Sequence, residues 1–238
     1  MEVASLYREP ERPAATQEPP ALELLDVFRI YSGGMAETVA LRGLSLHVRS
    51  GEMVAVMGPS GSGKSTFLNL AAGLDTPSAG EVRVFGRPLS RLSDDELAHY
   101  RARQVALVFQ SGNLWPALSA RENVEMSLRL AECGDVAARA TAALAAFGVA
   151  ERARHRAAAL SGGEQQRVAI ASAAAREARL VLADEPTGEL DAFNEKRVVE
   201  ALGRLREEHH ATVVIITHSS RLAEVADRVI ELRDGRAA

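Results

Sequence analysis

The stretch Gly58-Pro59-Ser60-Gly61-Ser62-Gly63-Lys64-Ser65 constrains this chain more than any other, because two glycines bracketing four residues ahead of Lys-Ser require one particular setting. That setting is a buried strand in front and a helix behind. Met53-Val54-Ala55-Val56-Met57 is continuously apolar, as suits a strand covered on both faces. Thr66-Phe67-Leu68-Asn69-Leu70 follows and reads as a helix. Glycines let the backbone curl so that successive amides converge on phosphate oxygens, and the helix start adds its positive end. Lys64 then supplies a point charge for the β- and γ-phosphates, and the Ser65 hydroxyl is a ligand for Mg²⁺.

Short apolar runs recur at Val105–Phe109, Leu180–Ala183 and Val213–Ile216, separated by helix-like stretches. A parallel sheet with flanking helices is the natural architecture. Leu44-Ser45-Leu46-His47-Val48-Arg49 alternates instead, as a half-exposed strand should. From about Ser111 to Arg156 the chain is rich in Ala, Arg and Glu with no strand-like run, which predicts a helical subdomain. Residues 1–20 carry Pro10, Pro13, Pro19 and Pro20 and few large apolar side chains, and read as a flexible tail. There is no convincing internal repeat.

The charged share is 25% and the net charge -4, which gives no bulk attraction for a polyanion, so nucleic acid is not an expected partner. The single cysteine, Cys133, excludes an internal disulfide and a multi-cysteine zinc site, and suits a reducing cytosol. No apolar run approaches the roughly 20 residues that cross a bilayer, and MEVASLYREP lacks the order of a secretory signal. The expectation is a soluble, cytoplasmic protein that reaches a membrane only through a partner. His209-His210 reads as solvent-facing, and His47, His99 and His155 show no metal-ligand spacing.

Ser161-Gly162-Gly163-Glu164-Gln165 reads locally as a loop capping a helix, with Ser161 as N-cap. Amides at a helix start also bind anions, so the chain holds a second phosphate-recognising end. Leu180–Ala183 runs into Asp184-Glu185, two carboxylates at the end of a strand. Asp184 is placed to hold Mg²⁺ through water and Glu185 to orient and deprotonate an attacking water.

LSGGEQQRVAIA, from Leu160 to Ala171, closely resembles the signature of ABC ATPases, and the resemblance covers nearly everything after Leu22. It implies an α/β fold of the P-loop NTPase type: a mostly parallel core sheet, an antiparallel β subdomain, and a helical subdomain inserted at about 111–175 of a domain spanning 21–238. It also implies ATP sandwiched between two copies of the chain, with Gly58–Thr66 of one copy facing Ser161, Gly162 and Gly163 of the other. Gln110 resembles the Q-loop glutamine that touches the metal, Gly188-Glu189-Leu190-Asp191 the D-loop, His218 the switch histidine at the γ-phosphate, and Tyr31 the A-loop aromatic that stacks on adenine. Power would pass to an integral membrane permease through a groove lined by Gln110 and Asn113-Leu114-Trp115-Pro116, unless Trp115 merely anchors the helical part.

Ala72–Gly80, Arg91-Leu92-Ser93, Asn113–Pro116 and Ala183–Gly188 resemble the branch of lipoprotein-release, macrolide-export and cell-division ATPases. Export or membrane extraction is then implied. Glu189 stands where that branch usually has Asn, Ser172 where it has Arg, and Ala157-Ala158-Ala159 replaces a more polar stretch; all three bear on partner coupling rather than phosphoryl transfer. A DNA-repair ATPase would need a long coiled-coil insertion between phosphate loop and signature, and a translation-factor relative a second set of motifs. The alternative that keeps the same catalytic residues is an ATP-driven switch for an envelope-remodelling membrane partner, moving no solute.

Overall fold

A computed structural model describes residues 18–33 and 36–238, so most of the tail expected over 1–20 lies outside the described residues. The chain runs β1 (Leu22–Gly33), β2 (Ala36–Val48), β3 (Met53–Met57), α1 (Lys64–Ala71), β4 (Ala79–Val84), β5 (Arg87–Pro88) and α2 (Asp94–Arg103). It continues through β6 (Val105–Val108), α3 (Ala120–Leu130), α4 (Val136–Ala146), α5 (Gly162–Ala175), β7 (Leu180–Asp184) and α6 (Ala192–His209). It ends with β8 (Thr212–Ile216), α7 (Ser220–Val225), β9 (Arg228–Arg233) and β10 (Arg236–Ala237).

The four continuously apolar runs lie in one sheet of order β10-β9-β3-β8-β7-β6, parallel except for β10 against β9. Their lack of alternation has a direct cause. Val213 and Ile215 pack on one face with Ala106, Val108, Val181 and Ala183 against α3, α4, α5 and α6. Val214 and Ile216 pack on the other with Val54, Val56, Leu180 and Leu182 against α1 and the strands β1, β2 and β4. Successive side chains point to opposite faces, and both faces are dry, so every position must be apolar.

The alternating stretch at Leu44–Val48 lies in β2, part of a second, antiparallel sheet of order β2-β1-β4-β5 that covers the face beside α1. Between β6 and β7 the described chain is helical apart from turns and a single antiparallel bridge, Ser119 with Arg156. Three helices start with reciprocal caps: Ser93 with Glu96, Ser119 with Glu122, and Ser161 with Glu164.

Tyr100 of α2 is buried, and its hydroxyl donates to the carbonyl of Ala71, the last residue of α1, at 2.6 Å. Burial pushes the phenol's pKa up. Tyr100→Phe leaves that carbonyl without its donor and is expected to cost about 1–2 kcal/mol, read as a lower urea midpoint at unchanged slope.

Candidate active site

The turn from β3 into α1 is closed by glycines for steric reasons. A Cβ on Gly58 would lie 2.0 Å from the Leu232 carbonyl oxygen of β9, and one on Gly63 would lie 2.5 Å from the Ala40 carbonyl oxygen of β2. The turn is thus wedged between the two sheets, which fixes where its amides point. Lys64 is buried and its Nζ donates to the carbonyls of Gly58 and Pro59 at 2.7 and 2.8 Å, folding the side chain back over its own loop. The Ser62 hydroxyl is buried with no protein partner. An orphaned hydroxyl and a neutral cradle around a lysine are what an incoming phosphate would complete.

β7 and β8 bring the acidic groups to the same cleft. The Ser65 hydroxyl donates to the Asp184 carboxylate, and burial pushes the Asp184 carboxyl up against the opposing effects of that bond and of the Lys64 charge. Glu185 follows in a left-handed conformation, φ 46°, its amide bonded to the Ile216 carbonyl at 2.9 Å. A non-glycine residue there is strained by on the order of 1 kcal/mol or more. The strain turns the side chain toward His218, whose Nε2 lies 3.3 Å from Glu185 Oε1 and whose amide donates to Oε2 at 3.3 Å. Lys64, Ser65, Asp184, Glu185 and His218 line one cleft of about 360 Å³, with Thr38 and Ala40 of β2 on its far wall. Ser65 and Asp184 are the hard oxygen donors Mg²⁺ takes, and the described residues contain no group of three or more His, Cys, Asp or Glu that would hold a metal unaided. Most of the coordination shell would therefore fall to water and substrate oxygens.

The remaining residues singled out by sequence lie elsewhere. Gln110 does not line the cleft; its Nε2 donates to Glu189 Oε1 at 3.2 Å, across the Gly188 backbone. The Gln110 amide is thus engaged by Glu189. Tyr31 pairs with Thr38 across β1 and β2. Its hydroxyl donates to Asp75 at 2.8 Å, and Arg29 covers one ring face at 4.4 Å. Ser161, Gly162 and Gly163 do not line the cleft of their own chain. They sit against Leu190 and Asn194, where a Cβ on Gly163 would lie 2.6 Å from Asn194 Oδ1.

Trp115 anchors nothing by burial: 65% of its surface is exposed. It borders a groove of about 220 Å³ whose other walls include Arg101, Leu107, Leu130, Ser172 and Arg176. Asn113 and Leu114 line this groove as expected, whereas Gln110 and Pro116 do not. Burial lowers the pKa of Arg176 to about 10. Two buried amides that sequence reasoning missed hold the groove's loop. Asn123 of α3 accepts from the Trp115 amide and donates to the carbonyls of Trp115, Leu118 and Ser119. Gln166 of α5 donates to the carbonyls of Phe109 and Gln110 at 2.7 and 2.8 Å, so the helix that begins at Ser161 also grips the Gln110 loop. The alanine turn at 157–159 closes the same loop through amide bonds to Leu118 and Pro116.

Known proteins resemble this chain along most of its length. The family described as ABC transporter matches residues 41–188. The macrolide export ATP-binding/permease protein MacB of Marinobacter nauticus is 45% identical over 218 residues, covering 91% of this chain and 34% of that protein. The chain therefore spans about a third of the length of such relatives, which fall in the macrolide-export branch that the sequence resembles. An uncharacterized ABC transporter ATP-binding protein of Thermotoga maritima is 43% identical over 217 residues, covering 90% of this chain and 92% of that one. A dimeric ATP-binding cassette solved in a post-hydrolysis state with ADP and Pi superposes with TM-score 0.84 at 40% identity, covering 91% of this chain and 96% of that one. With a family model matching residues 41–188 and relatives above 40% identity along nine-tenths of its length, the chain belongs to the ABC transporter family, as an ATP-binding cassette.

Proposed function

We propose that this chain binds and hydrolyses ATP as a homodimer and drives an integral membrane permease that exports or extracts a substrate. The observation that carries the reading is a separation within one chain. Lys64, Ser65, Asp184, Glu185 and His218 share a cleft, but the second phosphate-recognising end at Ser161–Gly163 does not line it. A second copy of the chain supplies that end, and the solved cassette at 40% identity that carries ADP and Pi is dimeric. Closure of two copies around ATP and reopening after hydrolysis is the motion delivered to the partner.

In the closed state Lys64 exchanges the Gly58 and Pro59 carbonyls for phosphate oxygens. Glu185 accepts the proton of the attacking water, and His218, held by both Glu185 oxygens, contacts the γ-phosphate. Tyr31 offers its uncovered face to adenine. Mg²⁺ at Ser65 and Asp184 would neutralise charge on the β- and γ-phosphates. Gln110 reaches that position only after leaving Glu189. The groove beside Trp115 receives the permease: its wall is formed by the Gln110 loop and by α5, the two segments joined through Gln166. No helix among the described residues is long and apolar enough to cross a membrane. The permease in this reading is an integral membrane protein, and the cassette works at the inner face of the cell membrane.

Tagged chain carrying Glu185→Gln, purified from its native cells in Mg-ATP and detergent, tests the reading. A multi-span membrane protein is the expected companion, and stimulation of the reconstituted complex by its transported substrate would exclude a purely regulatory switch. Recovery of an ATP-bound dimer with no membrane partner would overturn the transport assignment.

A further inference from the structure

Away from the nucleotide cleft, three arginines converge where the C-terminal end of α4 meets α5 and α6. The pocket there holds about 170 Å³ and is lined by Arg167 of α5, Arg197 and Arg204 of α6, and the Ala146–Gly148 turn. Arg167 is 4% exposed, yet its Nε and Nη1 are buried with no hydrogen-bond partner. A guanidinium does not discharge by losing its proton at ordinary pH, and it carries five donors in a fixed fork. Buried donors of this kind find partners in native proteins. No carboxylate among the described residues forms an ion pair with Arg167 or Arg197.

The neighbouring groups do not supply the missing partner. Arg197 presses its Nη2 against the turn, 3.3 Å from where a Cβ on Gly148 would stand, and its guanidinium carbon lies 5.6 Å from the Phe193 ring. Arg204 donates to the Ala146 carbonyl and pairs with Glu208 at 3.1 Å. Glu200 is the one acid in the lining; it is 62% exposed and leans toward Lys196 at 3.9 Å. Burial, and then the charge of Arg197, weaken the hold of Arg167 on its proton; Glu164 opposes them, but its carboxylate is bonded to Arg152 at 2.8 Å and not to Arg167. Like charges thus face each other across a small concave space with unfilled donors at its base.

We propose that this pocket binds a small oxyanion of the phosphate class, with Arg167 as the buried anchor and Arg197 and Arg204 closing over it. Phosphate oxygens match guanidinium forks in pairs, and three cations around one dianion turn mutual repulsion into attraction. The bound ion would tie α5, which is capped by Ser161, to α6, which is capped by Asp191. None of the pocket's residues lines the nucleotide cleft, so the site is independent of the catalytic assignment.

Orthophosphate is the probe, and Lys64→Ala is the background that removes the competing phosphate loop. At about twentyfold above its Kd, orthophosphate should raise the thermal midpoint of that chain by roughly 4–7 °C over chloride of equal ionic strength. Arg197→Gln in the same background should weaken binding at least tenfold by calorimetry while leaving the midpoint in chloride within a few degrees. Arg204→Gln should do the same more weakly, and both variants spare the buried Arg167. No phosphate-specific shift, an equal shift with acetate, or a shift that persists unchanged in Arg197→Gln would each overturn the proposal.

Discussion

Glu185→Gln is expected to bind Mg-ATP about as tightly as the unaltered chain, to lose hydrolysis by roughly 10²–10⁴-fold, and to accumulate as a dimer. The amide keeps the volume and can still accept from the His218 amide, which now meets Glu185 Oε2 at 3.3 Å. What it cannot do is take a proton. The backbone cost of φ 46° at this position is already present in the folded chain and is the same for either side chain. Stability should therefore change little, and the loss should fall on kcat rather than on folding. Single-turnover kinetics with gel filtration in Mg-ATP separates the outcomes. Hydrolysis within a few-fold of normal would remove Glu185 from the general-base role. A non-hydrolysing variant that stays monomeric at saturating Mg-ATP would mean that Ser161–Gly163 of a second copy need the membrane partner to reach the γ-phosphate.

Legibility from sequence followed burial. Met53–Met57, Leu180–Ala183 and Val213–Ile216 are covered on both faces, so each announces itself as an unbroken apolar run. The strand β9 lies in the same sheet, yet Arg228-Val229-Ile230-Glu231-Leu232-Arg233 buries only Ile230 and Leu232, and its charges hide it. Of the second sheet only the alternating end of β2 at Leu44–Val48 was legible in residue patterns; the rest came from the resemblance, because β1 and β2 break register repeatedly along their pairing.

At the site, groups placed by adjacent motifs were legible, since a strand end fixes Asp184 and Glu185 and a helix start fixes Ser65. Contacts between distant loops were not. The Gln110–Glu189 bond joins positions 79 residues apart, and neither residue type demands the other. Gln166 and Asn123 carry no motif of their own; each is a buried amide satisfied by loop carbonyls that only the folded chain brings near. The departures Ser172 and Ala157–Ala159 prove to border or brace the groove beside Trp115. None of them lines the cleft that holds Lys64, Asp184 and Glu185.

Lys64→Ala should weaken ATP binding by about a hundredfold or more and abolish measurable hydrolysis. The estimate rests on the loss of charge-assisted bonds to phosphate, about 3 kcal/mol taken together, at about 1.4 kcal/mol per tenfold in Kd. The same ammonium satisfies the Gly58 and Pro59 carbonyls at 2.7 and 2.8 Å, so part of its value in binding is offset by the bonds it gives up. That exchange also predicts a modest fall in stability on truncation, about 1–2 kcal/mol, as two carbonyls turn to water or to nothing. Lys64→Arg tests the geometry separately. It retains the charge, but its planar fork does not fit a cradle closed by the Ala40 and Leu232 carbonyls behind Gly63 and Gly58, so binding should still fall at least tenfold. Nucleotide titration followed by calorimetry, with thermal unfolding run beside it, distinguishes a chain that no longer binds from one that no longer folds. A folded Lys64→Ala chain with unchanged ATP affinity would place the nucleotide elsewhere and take the phosphate-loop reading with it.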